Sequence, residues 1–174
     1  MNPSLNKFIA QCESLPEIPS EKELRNIIAE FSRKRLSVDE YILFSDYEYK
    51  RNVLHVSAKC EIVVLCFKSG QYTPIHDHGG SAGIAFIYKG IMTEELFDKH
   101  LSSGMIVHSA KNSFLIHEVS YIDISTIHRV SNAHNDELVA INIYFPPLTA
   151  MNIYNTENAL VKKWTAESYG KRPF

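Results

Sequence analysis

The sequence predicts an all-β core, an antiparallel barrel or jelly roll, with α-helices at its N-terminal end. From about residue 41, short runs rich in Val, Ile, Phe and Tyr recur at intervals of about ten residues, and turn-forming residues separate them. The first 40 residues instead show apolar side chains at helical spacing. A chain of 174 residues is long enough to bury a proper core and too short for two large domains.

The N-terminal segment predicts two helices. Ser20 and Glu23 form a capping-box pattern, S-E-K-E, which marks the start of the helix "ELRNIIAEFSRKRL". Its apolar stripe consists of Leu24, Ile27, Ile28 and Phe31. An earlier amphipathic segment, "SLNKFIAQC", predicts another helix, and the two prolines of "LPEIPS" mark the turn between them. We expect both helices to pack on the sheet.

Eight runs predict the strands that follow. They are "YILF" (41–44), "KRNVLHVS" (50–57), "CEIVVLCF" (60–67), "AGIAFIY" (82–88), "IMTEELF" (91–97), "NSFLIHEV" (112–119), "YIDIS" (121–125) and "ELVAINIYF" (137–145). The sequence shows no interdomain linker. We therefore predict one domain, with a helical segment at 1–40, a barrel at 41–148 and a C-terminal wrap at 149–174.

Composition excludes several functional classes. Charged residues make up 22% and the formal net charge is −2, so no nucleic-acid-binding surface is indicated. No apolar run approaches the roughly 18 residues of a membrane span, and the N-terminus lacks a signal-peptide core. Cys12, Cys60 and Cys66 are an odd number without CxxC spacing, which suits a reducing compartment. We expect a cytoplasmic protein.

The segment "PIHDHGG" places His76 and His78 two residues apart. In a strand, such residues point to the same face, so the two imidazoles would converge. A pair of this kind alone is often only a surface feature. Two additions favour a metal site: the distant "IHRVSN", with His128 and Asn132, and glycines at positions 70, 83 and 90. The other five histidines lack this context, and His117 is the one among them that we single out for comparison with the structure.

The pattern G-x5-H-x-H, then glycines, then a distant H-x3-N, resembles the two metal motifs of the cupin superfamily. It implies a cupin jelly roll. Cupins usually add a glutamate shortly after the second histidine, but residues 79–83 contain no carboxylate. Three neutral imidazoles would leave a divalent ion its full charge, which favours an anionic soft ligand such as a thiolate. The sequence therefore predicts iron(II) and a thiol substrate, with a position left for O2.

Five segments in the same order resemble the cysteine dioxygenase-like thiol dioxygenases, which are three-histidine iron cupins. They are "YKRNVL" (49–54), "IHDH" (75–78), "GIMTEELF" (90–97), "IHRVSN" (127–132) and "NIYFPP" (142–147), and the resemblance covers about residues 41–148. It implies an enzyme that adds both atoms of O2 to the sulfur of a small thiol acid, cysteine by default, to give a sulfinic acid. Relatives are often monomers, and we expect the same here.

The resemblance also implies residue roles. It makes His76, His78 and His128 the iron ligands, and Arg51 the residue that holds the substrate carboxylate. An arginine fork suits that task because it makes two charge-assisted bonds to a carboxylate. Tyr144 would be the catalytic hydroxyl, and Tyr49 would line the pocket. From spacing alone, Arg51 would instead be a solvated strand charge and Tyr144 a core aromatic residue.

Three positions, Gly83, Ala140 and Asn142, differ from patterns found in the family. Mammalian members carry a cysteine at the position of Gly83, so no thioether to Tyr144 is expected here. The usual Ser-x-His-x-Tyr is replaced by Ala140, Asn142 and Tyr144. Asn142 can donate to the phenol oxygen but cannot be protonated near neutral pH, so the substitution weakens fixation of the tyrosyl proton or adapts the pocket to another thiol. The family also implies a cis bond before Pro146.

Two alternatives from other classes stay open at this point. One is a cupin enzyme that uses nickel, manganese or zinc for different chemistry on a small acid held by Arg51. The other is a non-catalytic cupin that senses a small ligand. Metal analysis with O2 uptake would separate the first from a thiol dioxygenase. Tight thiol binding without O2 consumption would favour the second.

Overall fold

Two helices precede the β core. The computed structural model describes residues 3–165, in which α1 spans Pro3–Glu13 and α2 spans Glu21–Arg33. The predicted capping box is present: the Ser20 side chain accepts from the Glu23 N–H, and the Glu23 carboxylate accepts from the Ser20 N–H at 2.8 Å. The predicted apolar stripe of α2 is buried. Neither helix of residues 3–165 has the length and apolar character needed to cross a membrane.

Eleven strands form the rest of the described chain. They are β1 (Lys50–Val56), β2 (Glu61–Phe67), β3 (Ile75–His76), β4 (Ala82–Lys89), β5 (Met92–Lys99), β6 (Ile106–Phe114), β7 (Val119–Ile122), β8 (Ile127–Ser131), β9 (Leu138–Phe145), β10 (Ala150–Tyr154) and β11 (Lys162–Thr165). One sheet has the order β1-β2-β9-β4-β7, and the other has the order β11-β10-β3-β8-β5-β6. All paired strands are antiparallel. The predicted all-β core with N-terminal helices is confirmed.

Strand β2 shows how one sheet serves two cores. All seven of its residues are buried. Ile62, Val64 and Cys66 pack in the cluster that contains the helices, whereas the alternate residues belong to the cluster between the sheets. Because side chains alternate across a strand, a run that is apolar on both faces is what a central strand covered on both sides requires. By the same alternation Glu61 points inward with Val63.

Two predicted strands differ in the structure. The run at 41–44 forms no strand; a short 3-10 turn at Asp39–Tyr41 overlaps its start. Tyr41, Ile42 and Phe44 pack half-buried on the helix-side core, whereas Leu43 is exposed. The run at 112–119 is divided between the end of β6 and the start of β7. At this turn His117 has a φ of +70°, and the Glu118 carboxylate accepts from the Leu115 N–H at 2.7 Å. Local hydrogen bonding there ends a run that composition alone makes continuous.

The C-terminal part adds strands that the sequence did not predict. Within the segment assigned to a wrap, β10 pairs with β3 and β11 pairs with β10. Met151 and Trp164 bury their side chains in the core between the sheets. The second sheet therefore continues beyond residue 148. Residues 166–174 of the predicted wrap lie outside the described residues. The Phe145–Pro146 bond is cis, as the resemblance implies.

Candidate metal centre

Three histidines from two remote segments meet inside the barrel. His76 in β3 lies directly opposite His128 in β8, and His78 follows two residues after His76. All three side chains are buried, and their ring centroids are separated by 4.8 to 4.9 Å. One ligand atom from each lies within 4.8 Å of the others. The structure thus brings together the three residues that the sequence analysis predicts as ligands.

The hydrogen bonds of these rings fit a metal ion at their centre. His76 Nδ1 lies 2.9 Å from the Pro74 carbonyl oxygen, and His128 Nδ1 lies 2.7 Å from Glu94 Oε1. Each bond leaves Nε2 as the available atom. Both ring nitrogens of His78 are buried without any hydrogen-bond partner. A buried polar group without a partner is costly, and a coordinated ion would satisfy it.

Burial keeps the rings of His76 and His78 neutral. Burial, assisted by repulsion from the neighbouring imidazole, lowers the pKa of His76 to about 3. Burial also lowers the pKa of His78 well below its ordinary value, and both neighbouring rings add to the effect. The neutral imidazole is the form that coordinates a metal. These two residues therefore present free nitrogen lone pairs at neutral pH.

Glu94, in β5, supports the centre from behind His128. Its buried carboxylate accepts from His128 Nδ1 and from Ser120 Oγ, which lies 3.1 and 3.2 Å from its two oxygens. A carboxylate in this position fixes the tautomer and orientation of a ligand ring and raises its basicity. Glu94 lies inside the quoted segment "GIMTEELF", but no pattern in the sequence gave it a role. Only the pairing of β5 with β8 reveals it.

We expect Glu94→Gln to weaken metal binding by about 10- to 100-fold, because the amide keeps the shape of the side chain but loses the charge that polarises His128. Competition with a coloured chelator would measure the affinity. Glu95→Gln is the matched control, since the adjacent Glu95 instead pairs with Arg129 at 2.7 Å on the outer face. Equal affinities for the Glu94 and Glu95 variants would refute this role of Glu94.

A small cavity lies beside the histidines. It has a volume of about 30 Å³, which is room for about two waters. Its walls are Tyr49, Arg51, Leu65, Thr73, His76, His128, Val130, Asn142, Tyr144, Leu148 and Met151. Both sheets contribute to this wall. Tyr49, expected to line the pocket, does so with its ring stacked on Phe67 at a centroid distance of 4.7 Å.

Tyr144 lines the cavity and lies beside His78. Its ring centroid is 5.5 Å from that of His78, and Asn142 Nδ2 donates to its hydroxyl oxygen at 2.8 Å. Burial raises the pKa of Tyr144 to about 12, although the Arg51 charge opposes this. The phenol is therefore protonated at neutral pH. Since its oxygen accepts from the amide, its own hydrogen can serve another acceptor.

Gly83 keeps space for Tyr144. It lies opposite Tyr144 in the β4–β9 pair. A Cβ atom at this position would lie 2.4 Å from the Ile143 carbonyl oxygen and 3.0 Å from Tyr144 Cδ1. Any side chain here would force the two strands apart. That Tyr144 carries no thioether stays a prediction, which rests on the lack of a thiol at this position.

Arg51 reaches the cavity but already has a partner. Its Nη2 forms an ion pair with Glu61 Oε2, and both side chains are almost fully buried. Glu61 also accepts from the Leu148 N–H at 3.3 Å. Glu61 was not among the site residues predicted from the sequence. The available signal was its position in β2, where it continues the inward-facing row of Val63 and Leu65 with a charge.

The remaining histidines stay outside this centre. Glu13, His55 and Cys60 also place possible ligand atoms within 4.8 Å of one another. There His55 Nε2 already bonds Glu13 Oε1 at 2.6 Å, and burial raises the pKa of the Cys60 thiol to about 12. These side chains already bond one another, so this group is not proposed as a metal site. His117, singled out above, lies beside Phe86 at a ring distance of 6.0 Å and does not join the three histidines.

Comparison with known proteins points to one family. Residues 16–157 match the sequence profile described as cysteine dioxygenase type I. Curated relatives include the cysteine dioxygenase type 1 proteins of Danio rerio, Rattus norvegicus and Homo sapiens. The Danio protein is 26% identical over 160 residues, which are 87% of this chain and 79% of that protein. The rat and human proteins are 27% and 28% identical, each over 75% of this chain and 68% of its own length.

Solved structures show the same fold. A double-stranded β-helix protein from Klebsiella pneumoniae aligns with a TM-score of 0.54 and 17% identity, over 69% of this chain and 96% of that chain. A protein from Thermus thermophilus aligns with a TM-score of 0.55 and 11% identity, over 64% of this chain and 96% of that chain. At such identities the likeness concerns the fold alone. The predicted cupin jelly roll is confirmed.

Proposed function

The chain belongs to the cysteine dioxygenase type I family, and from this premise we propose that it is an iron(II)-dependent thiol dioxygenase. It adds both atoms of O2 to the sulfur of a small thiol and yields a sulfinic acid. One observation carries the proposal: three buried histidines converge, two of them at the wall of a small cavity, and their available ligand atoms lie within 4.8 Å of one another. The two alternative functions have no comparable support.

The proposed iron ligands are His76, His78 and His128. Iron(II) held by three neutral imidazoles would supply a redox-active centre with open positions for a thiolate and O2. Within residues 3–165 the cluster contains no acidic ligand, because Glu94 faces the outer nitrogen of His128 rather than the centre. This arrangement differs from sites with two histidines and a carboxylate, and it favours an anionic sulfur ligand.

The cavity residues orient the reactants and hold protons. Tyr144 is protonated at neutral pH and can donate its hydroxyl hydrogen to the oxygen or sulfur of the reacting groups. Asn142 fixes the direction of that hydroxyl through the 2.8 Å bond to its oxygen. The small volume of the cavity limits the number of water molecules beside these groups, which strengthens such bonds. Because β1 and β9 of one sheet and β3, β8 and β10 of the other line the cavity, we further propose a single catalytic domain.

Cysteine is the substrate to test first, because the curated relatives are named for it. The protein would be loaded with iron(II) without oxygen and then mixed with O2 and cysteine, 3-mercaptopropionate or cysteamine. We expect O2 consumption with at least one thiol and a product heavier by two oxygen atoms. Zinc-loaded protein is the control and should consume no O2. Disulfide as the sole product, or no uptake with any thiol, would contradict the proposal.

The altered strand β9 gives a further prediction. Ala140, Asn142 and Tyr144 are all buried, and they belong to the interior face. We expect Ala140→Ser combined with Asn142→His to change kcat for cysteine by about tenfold or more, because an imidazole would share the tyrosyl proton. A new ionisation should also enter the pH–rate profile, since histidine titrates near pH 6.5.

Two variants serve as controls for this test. Ala140→Ser should leave the rate near that of the wild type because it supplies no titratable group. Tyr144→Phe should remove the effect of the double substitution, since the introduced serine and histidine would have no tyrosyl hydroxyl to act upon. If the double variant keeps the rate, the thiol preference and the pH profile of the wild type, the replacement of the usual serine and histidine by Ala140 and Asn142 has no effect on function.

A further inference from the structure

Arg51 and Glu61 form a buried ion pair at the wall of the cavity. Their side chains are only 8% and 7% exposed. Among the described residues that line the cavity, Arg51 carries the only permanent charge. Its guanidinium is therefore the group that an anionic part of a substrate would seek, and Glu61 is already bound to it.

The strand register explains how Glu61 reaches this place. Glu61 begins β2 and lies opposite Tyr144 in β9. The inward face of β2 continues with Val63 and Leu65, which belong to the core between the sheets. The Leu148 N–H gives the carboxylate a further bond at 3.3 Å. Glu61 is thus held on the interior face by two partners.

We propose that Glu61 is a specificity-determining residue, which competes with a substrate carboxylate for Arg51 and so admits small aminothiols without a carboxylate alongside thiol acids. This inference rests on the proposed function and deepens it. The carboxylate of a thiol acid can bind Arg51 only by displacing Glu61. The charge of Glu61 would then be buried without its cation. Such a charge is unfavourable. An aminothiol leaves the ion pair intact.

Electrostatics leads to the same preference. An arginine that faces a cavity without a counter-charge attracts carboxylates and orients them through its fork. Here the adjacent Glu61 carboxylate weakens the attraction of Arg51 for an anion in the cavity. Selection against a thiol that lacks a carboxylate is therefore weakened. The ligand class expected from this pocket is a small thiol with either an amine or a carboxylate end.

Cysteine and cysteamine provide the test, because they differ only in the carboxylate. The ratio of kcat/KM for cysteine to that for cysteamine would be measured for the iron-loaded wild type and Glu61→Gln. We expect the ratio to rise about tenfold in the variant, mainly through a lower KM for cysteine, since the amide no longer competes as an anion. Anaerobic dissociation constants of both thiols with the cobalt(II)-loaded protein should show the same change.

Further variants keep the test decisive. Arg51→Gln combined with Glu61→Gln should lose the gain, because no cation remains for the substrate. Glu61→Asp, which withdraws the carboxylate by one methylene, should move the ratio in the same direction to a smaller extent. Ratios within twofold of the wild type in both single variants would overturn the inference, even if thiols are oxidised. Failure of the wild type to oxidise any thiol would refute the proposed function instead, and the anaerobic constants would still decide the role of Glu61.

Discussion

The His78→Gln variant should lose metal binding and reduce thiol oxidation by at least about 1,000-fold, because a ligand that contributes several kcal/mol to the centre is removed. His78 is the sharpest choice since both of its ring nitrogens are buried without a hydrogen-bond partner. Metal content would be measured by elemental analysis after reconstitution, and activity by O2 consumption. His108→Gln is the control, because His108 is half-exposed on β6.

The metal-free form of the same variant offers an independent readout. A buried imidazole without partners contributes an unfavourable desolvation term to the folded state. Because the glutamine amide is polar as well, the free energy of unfolding of metal-free His78→Gln should lie within about 1 kcal/mol of that of the metal-free wild type. A strongly destabilised apo-variant, or one that retains full metal content, would show that His78 is a structural residue and would contradict its proposed role.

Gly79→Ala should destabilise the protein by about 3 kcal/mol, compared with about 1 kcal/mol for Gly80→Ala. Both glycines have positive φ angles, +60° and +95°, so both substitutions incur the left-handed backbone cost. The two positions differ in the room available for a Cβ atom. A Cβ atom at Gly79 would lie 2.2 Å from the Ala150 carbonyl oxygen of β10, whereas nothing lies within 4 Å of one at Gly80.

The adjacent pair thus separates steric overlap from backbone strain. Urea unfolding of the metal-free variants would give both free energies. Gly79→Ala should also weaken metal binding, because Asp77 Oδ1 accepts from the Gly79 N–H at 3.0 Å and from the Asn152 N–H at 2.9 Å, which fixes the segment that carries His78. Equal destabilisation by the two substitutions would indicate that β10 does not restrict this turn.

Local patterns explain what the sequence revealed about the fold. The capping box at Ser20 predicted the start of α2 because its hydrogen bonds join residues three apart. Runs of β-prone residues separated by turns identified most strands of the barrel. The segment at 41–44 has strand-like composition but packs beside the helices, where no neighbouring strand pairs with it. Strands β10 and β11 escaped prediction because β10 pairs with β3 through contacts about 75 residues apart in sequence, and β11 joins the sheet only through β10.

For the site, too, local motifs could be predicted, whereas contacts set by strand register could not. The spacing of His76 and His78, together with the motif around His128, indicated a metal centre that the structure assembles. Glu94 and Glu61 were missed because their partners are set by strand register rather than by spacing. Glu94 acts on a residue 34 positions away. Glu61 in β2 pairs with Arg51 in the neighbouring strand β1. The register between these two strands cannot be inferred from either segment alone.

The most direct measurement is a crystal structure of the iron(II)-loaded protein, prepared without oxygen, with anomalous data collected at the iron edge. The iron should lie about 2.0–2.2 Å from one nitrogen each of His76, His78 and His128, with no protein carboxylate bound to it. An iron atom coordinated by Glu61 or Glu94, or an anomalous peak away from the three rings, would contradict a three-histidine centre and the thiol chemistry inferred from it.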